Sequence, residues 1–380
     1  NELYVYNPDK SFILGSFNQN HIYNGELGTE LVPGNTVVVE YYVPKENTEG
    51  SVNLNTVTHG YRTASEFMEK AFGSSGSCNM NVNCPDGSSW VNERNSVVML
   101  VSGSSGFCTG ALVNNVLNDG KPYVLTANHC YSNPANWIFR FNWQSNGCMN
   151  PGSSPSFISL SGATLRSRRT PTDFCLVEIT GGLTNNTVPS SHNPFFAGWD
   201  KTGTIPTSTV GIHHPSGDIK KISFDDNPAT VSQAMGSTEN NSTWTVQWDR
   251  NTTTEGGSSG SPLFDQSHRI IGQLWGGGAS CNNQSAPDYY GRFSKSWDPS
   301  GSNQSNQLVF WLDPNNSGAE FVNGFDPSGA TAAQYDAGVS NANLDETEVC
   351  AIYYVPSFVL SNSGSETLTS ATVLYSIDGG

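Results

Sequence analysis

Charged residues are scarce in this 380-residue chain: Asp, Glu, Lys and Arg together make up 13% of it. Basic side chains are rarer than acidic ones, 17 against 33, which gives a formal net charge of −16. Such an acidic surface argues against nucleic acid or anionic lipid as a partner, because both would repel it. The same charge favours encounter with basic substrates.

Long apolar runs are missing as well. No stretch reaches the roughly 20 apolar residues that a membrane-spanning helix needs, so no membrane insertion is expected. No signal peptide begins at Asn1, as would hold for a secreted protein that has already lost one.

Metal-binding spacings are also absent. The eight cysteines include no Cys-x-x-Cys pair, and the seven histidines form no metal-site pattern. We therefore expect no metal and no cofactor. Eight cysteines instead indicate disulfides and an oxidising compartment, although their spacing alone leaves on the order of a hundred pairings open.

The abundant residues are Gly, Ser, Thr and Asn, with 39 glycines alone, as is typical of a turn-rich, mainly β protein. Short β-branched and apolar runs between turns predict strands. They lie at residues 37–43, 97–101, 123–125 and 270–274. Residues 307–312 predict a closing helix that Asp313 and Pro314 stop.

Three polar segments carry the chemistry. His129 ends a strand within residues 125–130, and Asp173 opens one within residues 172–179. Ser259 lies in a Gly-x-Ser-Gly-x-Pro turn, where glycines let backbone N–H groups converge on one point. The chain order His, Asp, Ser is that of the serine protease triad on double β-barrels.

These residues suffice for acyl transfer. A serine hydroxyl needs an adjacent base, so His129 would take the proton of Ser259 while Asp173 holds the imidazole tautomer. The N–H groups of Gly257 and Ser259 would form the oxyanion hole. A Gly/Ser turn, a lone histidine or an aspartate before a strand is usually structural, but three in this order favour a catalytic site.

Over about residues 73–329 the chain resembles the bacterial lysyl endopeptidase family of trypsin-like serine proteases. The matching segments are residues 76–78, 84–85, 108–115, 125–130, 173–179, 197–200, 212–215, 257–262, 272–274 and 288–292. The resemblance implies a chymotrypsin-like double antiparallel β-barrel with a C-terminal helix. It also implies a secreted or cell-surface bacterial serine endopeptidase that acts on polypeptides through an acyl-enzyme.

The resemblance further implies three disulfides: Cys78–Cys281, Cys84–Cys148 and Cys108–Cys130. Cys175 is left as a buried free thiol, and Cys350 would pair with a residue beyond the end of this chain.

The resemblance places Asp288 in the primary specificity pocket, where a buried carboxylate needs a cationic substrate side chain. The alternative is a turn aspartate. Trp199 matches a family aromatic near that pocket, or else belongs to the core. Trp275 replaces the histidine of lysine-preferring members, and with Gly276 it resembles the edge on which ordinary trypsins pair substrate backbone. We expect cleavage after basic residues, with Lys preferred and Arg accepted.

His213 and His214 raise a glutamate-specific alternative, which Asp288 would oppose by charge repulsion. Ser258 stands where trypsin-like zymogens carry the aspartate that pairs with a new N-terminus, so that activation mechanism is not expected.

Four segments are predicted along the chain. Residues 1–72 would be a β-rich pro-segment or a retained accessory domain, with a helix from residue 63 to 72. Residues 73–329 would form the protease domain, which begins with a flexible Gly/Ser joint at 73–77, and Lys70 would suit self-cleavage. Residues 330–345 would be a linker. Residues 346–380, with strands at 349–355 and 371–377, would begin an immunoglobulin-like module that continues beyond this chain.

Two other function classes remain open from sequence. One is a non-catalytic binding or adhesion protein on a protease scaffold, which the intact triad residues disfavour. The other is a carbohydrate-binding protein, suggested by nine tryptophans that are more simply explained as β core.

Overall fold

A computed structural model describes residues 1–19, 22, 25–47, 50–57, 72–102, 105–299, 301, 303–328, 337–343 and 357–362. The chain divides into a large unit, residues 1–325, and a small one, residues 326–380. Within the described ranges, no helix is long and apolar enough to cross a membrane.

The first large sheet of the large unit has seven antiparallel strands. Numbered in chain order, they are β5 (Val97–Ser102), β6 (Ser105–Leu112), β7 (Tyr123–Ala127), β8 (Ile138–Phe141), β9 (Ile158–Ser161), β10 (Ala163–Arg169) and β11 (Phe174–Ile179). Their order across the sheet is β10-β11-β7-β6-β5-β8-β9.

The second large sheet contains β4 (Met80–Asn81), β12 (Trp199–Asp200), β13 (Thr209–His213), β14 (Lys221–Asp225), β15 (Thr230–Ser232), β16 (Thr243–Val246), β17 (Pro262–Asp265), β18 (Ile270–Gly277), β19 (Asp288–Arg292) and β20 (Phe321–Val322). Its main order is β15-β16-β19-β18-β17-β13-β14-β4; in addition, β12 pairs with β18, and β20 pairs with β12. These two large antiparallel sheets confirm the predicted mainly β, chymotrypsin-like fold class.

Nearly every residue of β5, β7, β8 and β11 is buried on both faces of the first sheet, which explains the continuous apolar runs of these strands. On β7, Tyr123 and Leu125 belong to a core that the two large sheets share, whereas Val124 belongs to a core within the first sheet. Phe264 and Ile270 bring the second sheet into the shared core. Because side chains alternate along a strand, one run supplies both cores. The shared core holds the two sheets, and hence the loops between them, in a fixed arrangement.

Helices are few and short among the described residues: α1 (Val91–Ser96), α2 (Phe293–Trp297) and α3 (Val309–Leu312). The predicted closing helix is therefore present as α3, although it begins two residues later than expected. It ends where Asp313 N caps Val309 O and Pro314 follows.

An N-terminal sheet of three strands, ordered β2-β1-β3, lies in the same unit. It consists of β1 (Glu2–Tyr6), β2 (Ile13–Phe17) and β3 (Val38–Tyr42), the last being the strand predicted at 37–43. The helix predicted at 63–72 lies outside the described residues except for Phe72.

The predicted flexible joint at 73–77 is wrong. Gly73 N and Ser75 N donate to the two carboxylate oxygens of Asp218, at 2.9 and 3.1 Å, and Asp218 is fully buried. A Gly/Ser composition does not make a segment free when a buried carboxylate collects its amides.

The small unit contains a two-stranded antiparallel sheet of β21 (Ala337–Asn343) and β22 (Ser357–Asn362). The first of these strands lies inside the predicted linker, residues 330–345. Backbone pairing does not require apolar side chains, so its small and polar composition concealed it. The strands predicted at 349–355 and 371–377 lie outside the described residues.

Three disulfides link the pairs that the family resemblance implies: Cys78–Cys281, Cys84–Cys148 and Cys108–Cys130. Cys175 is a free, fully buried cysteine, and burial raises the pKa of its thiol to about 12, so it is not a thiolate nucleophile. Cys350 lies outside the described residues.

Candidate active site

Strand register brings His129 and Asp173 together. Phe174 at the start of β11 pairs with Ala127 at the end of β7, and Asn128 N donates to Asp173 O over 2.7 Å. His129 follows on a short 3₁₀ turn, Asn128–Cys130. Asp173 adopts a left-handed φ of 54°, which turns its side chain back toward this turn.

The Asp173 carboxylate holds His129 at two points. One oxygen lies 2.7 Å from His129 Nδ1, and the other accepts the backbone N–H of His129 over 2.9 Å. The Asp173 side chain is 3% exposed and that of His129 is 40% exposed. Burial raises the pKa of Asp173, and the hydrogen bonds from His129 act in the opposite direction. The bond at Nδ1 leaves Nε2 as the nitrogen that can act on a substrate or nucleophile.

The Ser259 turn joins the two large sheets. Thr109 N on β6 donates to Ser259 O over 2.8 Å, and Gly260 N donates to Leu274 O on β18 over 2.8 Å. Gly260 has a φ of +81°, and a Cβ there would lie 2.7 Å from Ala127 N. Only glycine lets the turn approach the end of the strand that precedes His129.

Ser259 is half-buried, and its hydroxyl makes no hydrogen bond to any residue that the structure describes. The Nε2–Oγ hydrogen bond of a working triad is therefore not formed in this structure, although such bonds commonly tighten only when substrate binds. The Cys108–Cys130 disulfide lies between the two halves. Cys130 Sγ is 3.9 Å from Ser259 O, and a His129 ring nitrogen is within 4.8 Å of both sulfurs.

Gly257, two residues before Ser259, has a backbone conformation that only glycine adopts readily. Its φ is +93°, and a Cβ there would lie 2.9 Å from Gly217 N and 3.0 Å from His214 O. Thr109 Oγ1 donates to Gly257 O over 2.9 Å and so fixes the peptide plane. Among the described residues, no acceptor takes the N–H of Gly257 or of Ser259. Both donors are thus free for a developing negative charge.

Asp288 opens β19 and is 1% exposed, so it is not a turn residue. Its Oδ2 accepts from Trp248 Nε1 over 2.8 Å and from Thr254 Oγ1 over 2.5 Å, and its Oδ1 accepts from Ala279 N over 3.3 Å. Burial raises its pKa, and these neutral donors offset part of that effect. No basic group of the described chain forms an ion pair with it.

Trp275 and Gly276 lie on a free edge beside Asp288. β17 pairs with β18 only as far as Gln273, whereas on the other side Gly277 pairs with Asp288 itself. Among the described strands, none covers the first side of residues 275–277. Its backbone is available to pair with an added strand.

Trp199 is not part of this pocket. It is fully buried, its Nε1 donates to Asn114 O over 2.9 Å, and its ring stacks on Phe293 with centroids 5.7 Å apart. A substrate side chain cannot reach a tryptophan enclosed in the core that both sheets share. The core alternative is therefore the better account of Trp199.

His213 and His214 are also fully buried, so neither can meet an acidic substrate side chain. Their contacts were not predicted from sequence: His213 Nδ1 lies 2.8 Å from Ser258 Oγ, in the turn that carries Ser259. Trp248 and Thr254 were not predicted either, and they bind Asp288 from 40 and 34 positions upstream in the chain. No local pattern marks such partners, because strand pairing brings them together.

A profile of the lysyl endopeptidase C-terminal domain matches residues 72–291, more than half of the chain. The chain belongs to the lysyl endopeptidase family. The lysyl endopeptidase of Pseudomonas aeruginosa is 29% identical over 299 residues, which is 71% of this chain and 62% of that protein. The chain thus spans less than two thirds of this family member's length.

Solved structures give weaker similarities. Human heparin binding protein is 16% identical, with a TM-score of 0.36 over 53% of this chain and 87% of that chain. The thermostable serine protease AL20, from an extremophilic microorganism, is 15% identical, with a TM-score of 0.36 over 52% and 92% of the two chains. Nothing about activity follows from similarities at this level.

Proposed function

We propose that the protein is a serine endopeptidase that hydrolyses peptide bonds after basic residues. The observation that carries this proposal is the His129–Asp173 pair, hydrogen-bonded over 2.7 Å, beside a serine turn with two free N–H donors. Membership of the lysyl endopeptidase family supports the same activity.

Each residue then has one role. Ser259 Oγ attacks the scissile carbonyl carbon while His129 Nε2 accepts its proton, and Asp173 stabilises the resulting imidazolium. The carbonyl oxygen becomes an oxyanion that the Gly257 and Ser259 amides bind. His129 returns the proton to the leaving amine, which departs and leaves an acyl-enzyme. Water, deprotonated by His129, hydrolyses the ester and frees Ser259.

Specificity rests on Asp288. It is a buried carboxylate whose described partners are all neutral, and an ammonium or guanidinium from the substrate would complete it. The free edge at Trp275 and Gly276 would pair with the substrate backbone and direct the side chain toward Asp288. We infer that Lys is preferred and Arg accepted.

Cleavage of peptides that differ only at the residue before the scissile bond tests this function. The set contains Lys, Arg, Glu, Leu and Ala, and the enzymes are the wild type, Ser259→Ala and Asp288→Ala. We expect efficient cleavage after Lys and Arg by the wild type only, with far slower cleavage after Leu. Cleavage after Leu or Glu as fast as after Lys would keep the triad and remove Asp288 from its role.

The other candidate is a non-catalytic binding or adhesion protein on this scaffold. A fluorophosphonate separates the two, because it labels only an activated serine. Failure to label Ser259 in the folded protein would favour the binding protein.

For residues 1–72 we propose a pro-segment, with a retained accessory domain as the alternative. The contact of Gly73 N with buried Asp218 suits a chain start at this point, since an α-ammonium there would pair with the carboxylate. Glu30, however, forms a buried ion pair with Arg140 over 3.1 Å, which suits retention. N-terminal sequencing of the active enzyme decides: Asn1 would contradict removal.

We also propose a secreted or cell-surface location in a bacterium, because three disulfides require an oxidising compartment to form. Non-reducing mass spectrometry of protein from the culture medium should find all three intact.

A further inference from the structure

A buried imidazole lies directly behind the nucleophile turn, and the catalytic scheme above does not use it. His213, at the end of β13, is fully buried. Its Nδ1 lies 2.8 Å from Ser258 Oγ, and its Nε2 lies 2.9 Å from Ser223 Oγ. The ring therefore joins the residue before Ser259 to strand β14.

These hydrogen bonds form a series, and the last bond of the series fixes the direction of the others. Ser223 Oγ donates to Thr253 O over 2.7 Å, so it must accept from His213 Nε2–H. A neutral imidazole protonated at Nε2 accepts at Nδ1, which makes Ser258 the donor there. Ser258 Oγ in turn accepts the backbone N–H of Glu255 over 3.2 Å. Every polar atom in this hydrogen-bond series has a partner, and only one assignment of donors and acceptors is possible.

The charge state agrees with this arrangement. Burial, together with the neighbouring Lys221 cation, lowers the pKa of His213 to about 3. The ring is therefore neutral at neutral pH, so Nδ1 remains an acceptor.

This hydrogen-bond series fixes the turn that carries both oxyanion donors. Ser258 lies between Gly257 and Ser259, and its side chain and backbone both bind within the turn, since Ser258 N donates to Glu255 O over 3.0 Å. His214, the residue that follows β13, packs its carbonyl against Gly257. Rigid placement of such donors is what gives them their effect on a transition state.

We propose that His213 is a positioning residue: through Ser258 Oγ it fixes the turn whose Gly257 and Ser259 amides bind the oxyanion. This inference rests on the proposed function. It assigns no contact with substrate to His213, which acts only through Ser258.

Two amide variants separate the ends of the ring. In His213→Asn the amide oxygen lies near the Nδ1 position and can still accept from Ser258, whereas the Ser223 contact is lost. In His213→Gln the amide nitrogen can still donate to Ser223, whereas Ser258 loses its acceptor. Both place a neutral amide in the same cavity, so each is the matched control of the other.

We expect His213→Gln to lose kcat by about tenfold to hundredfold at nearly constant KM, because the oxyanion donors act mainly in the transition state. His213→Asn should keep most of kcat. Ser258→Ala should behave like His213→Gln, Ser223→Ala like His213→Asn, and the Gln variant combined with Ser258→Ala should lose no more than either alone. Rates are measured on the Lys peptide and divided by the fraction of enzyme that a fluorophosphonate labels.

Equal losses in the Asn and Gln variants would overturn the proposal, as would a change confined to KM. If the His213 variants do not fold, Ser258→Ala decides alone, and full kcat there overturns it. A wild type that neither cleaves nor labels would remove the proposed function and this inference with it. A wild type that cleaves, with an unaffected Gln variant, would remove only the inference.

Discussion

Two buried aspartates, one beside each large sheet, have opposite kinds of partner. Asp173 of the first sheet is bound to a side chain that can become a cation, His129, over 2.7 Å. Asp288 of the second sheet is held by an indole N–H, a hydroxyl and a backbone amide, all neutral. Burial raises the pKa of both.

The difference shows what each carboxylate lacks. In the proposed function, Asp173 finds its charge partner within the chain when His129 takes a proton. Asp288 has no charge partner among the described residues, so in the proposed function its partner comes with the substrate. On this proposal the first sheet supplies the base, and the second supplies the nucleophile turn and the substrate selection.

The largest effect should come from the nucleophile. Ser259→Ala removes the attacking oxygen, and we expect kcat on the Lys peptide to fall by about a millionfold. The residual rate over water should persist through the oxyanion donors. Single-turnover assays, with circular dichroism to show an unchanged fold, provide the measurement. Activity within tenfold of the wild type would mean that another residue attacks.

Asp173→Asn tests the proposed role of Asp173 in the reaction. The amide keeps the shape but holds His129 in the wrong tautomer, so kcat should fall by about ten-thousandfold. The loss should be the same for Lys and Leu peptides, because Asp173 does not select. Unequal losses would contradict the separation of roles.

Asp288→Asn tests the proposed role of Asp288 in substrate selection. Loss of one member of a buried charge pair costs about 2–5 kcal/mol, so kcat/KM for Lys and Arg peptides should fall by about thirtyfold to several thousandfold. Cleavage of the Leu peptide should be unchanged or improved, and fluorophosphonate labelling should stay at the wild-type rate. Parallel losses for Lys and Leu would show that Asp288 supports only the fold.

Two of the disulfides allow stability and activity to be compared. Replacing Cys108 and Cys130 by Ala should lower the free energy of unfolding by about 2–4 kcal/mol and should also lower kcat, because this bridge lies beside His129 and Ser259. The matched control is Cys84 and Cys148, whose removal should cost similar stability without a comparable loss of kcat. Denaturant melts and kcat on folded protein measure both. Equal kcat losses would show that the bridge near the site has no special role.

The smallest effect is a pH dependence of binding. The ion pair with substrate requires the carboxylate form of Asp288, whose pKa burial raises. As pH falls toward that pKa the carboxylate is lost, so KM for the Lys peptide should rise several-fold. KM for the Leu peptide should not follow, and in Asp288→Asn the difference between the peptides should vanish. A parallel rise for both peptides would assign the effect to another group.

Sequence was sufficient for the parts of the molecule that local pattern determines. The β runs at 97–101 and 123–125, the closing helix and the three segments that carry His129, Asp173 and Ser259 were all predictable from composition and turn chemistry. Strand register then brings His129 and Asp173 within hydrogen-bonding distance, because Phe174 pairs with Ala127.

What could not be predicted depends on contacts between distant segments. Trp199 lies in a segment that resembles a family segment near the specificity pocket. Its burial beside Phe293 and Trp297, however, depends on how the two sheets pack. The junction at Gly73 has the composition of a joint, but Asp218 lies 145 positions away and binds it. The link from His213 to Ser258 likewise spans 45 positions and carries no motif.

A phosphonate inhibitor with a lysine side chain at the position before phosphorus tests the central claim most directly. Digestion and mass spectrometry locate the adduct, and the labelling rate is compared with that of a glutamate analogue. We predict a single adduct on Ser259, formed much faster with the lysine compound, and slowed for that compound alone in Asp288→Asn. An adduct on another residue, or equal rates for the two compounds, would contradict the account.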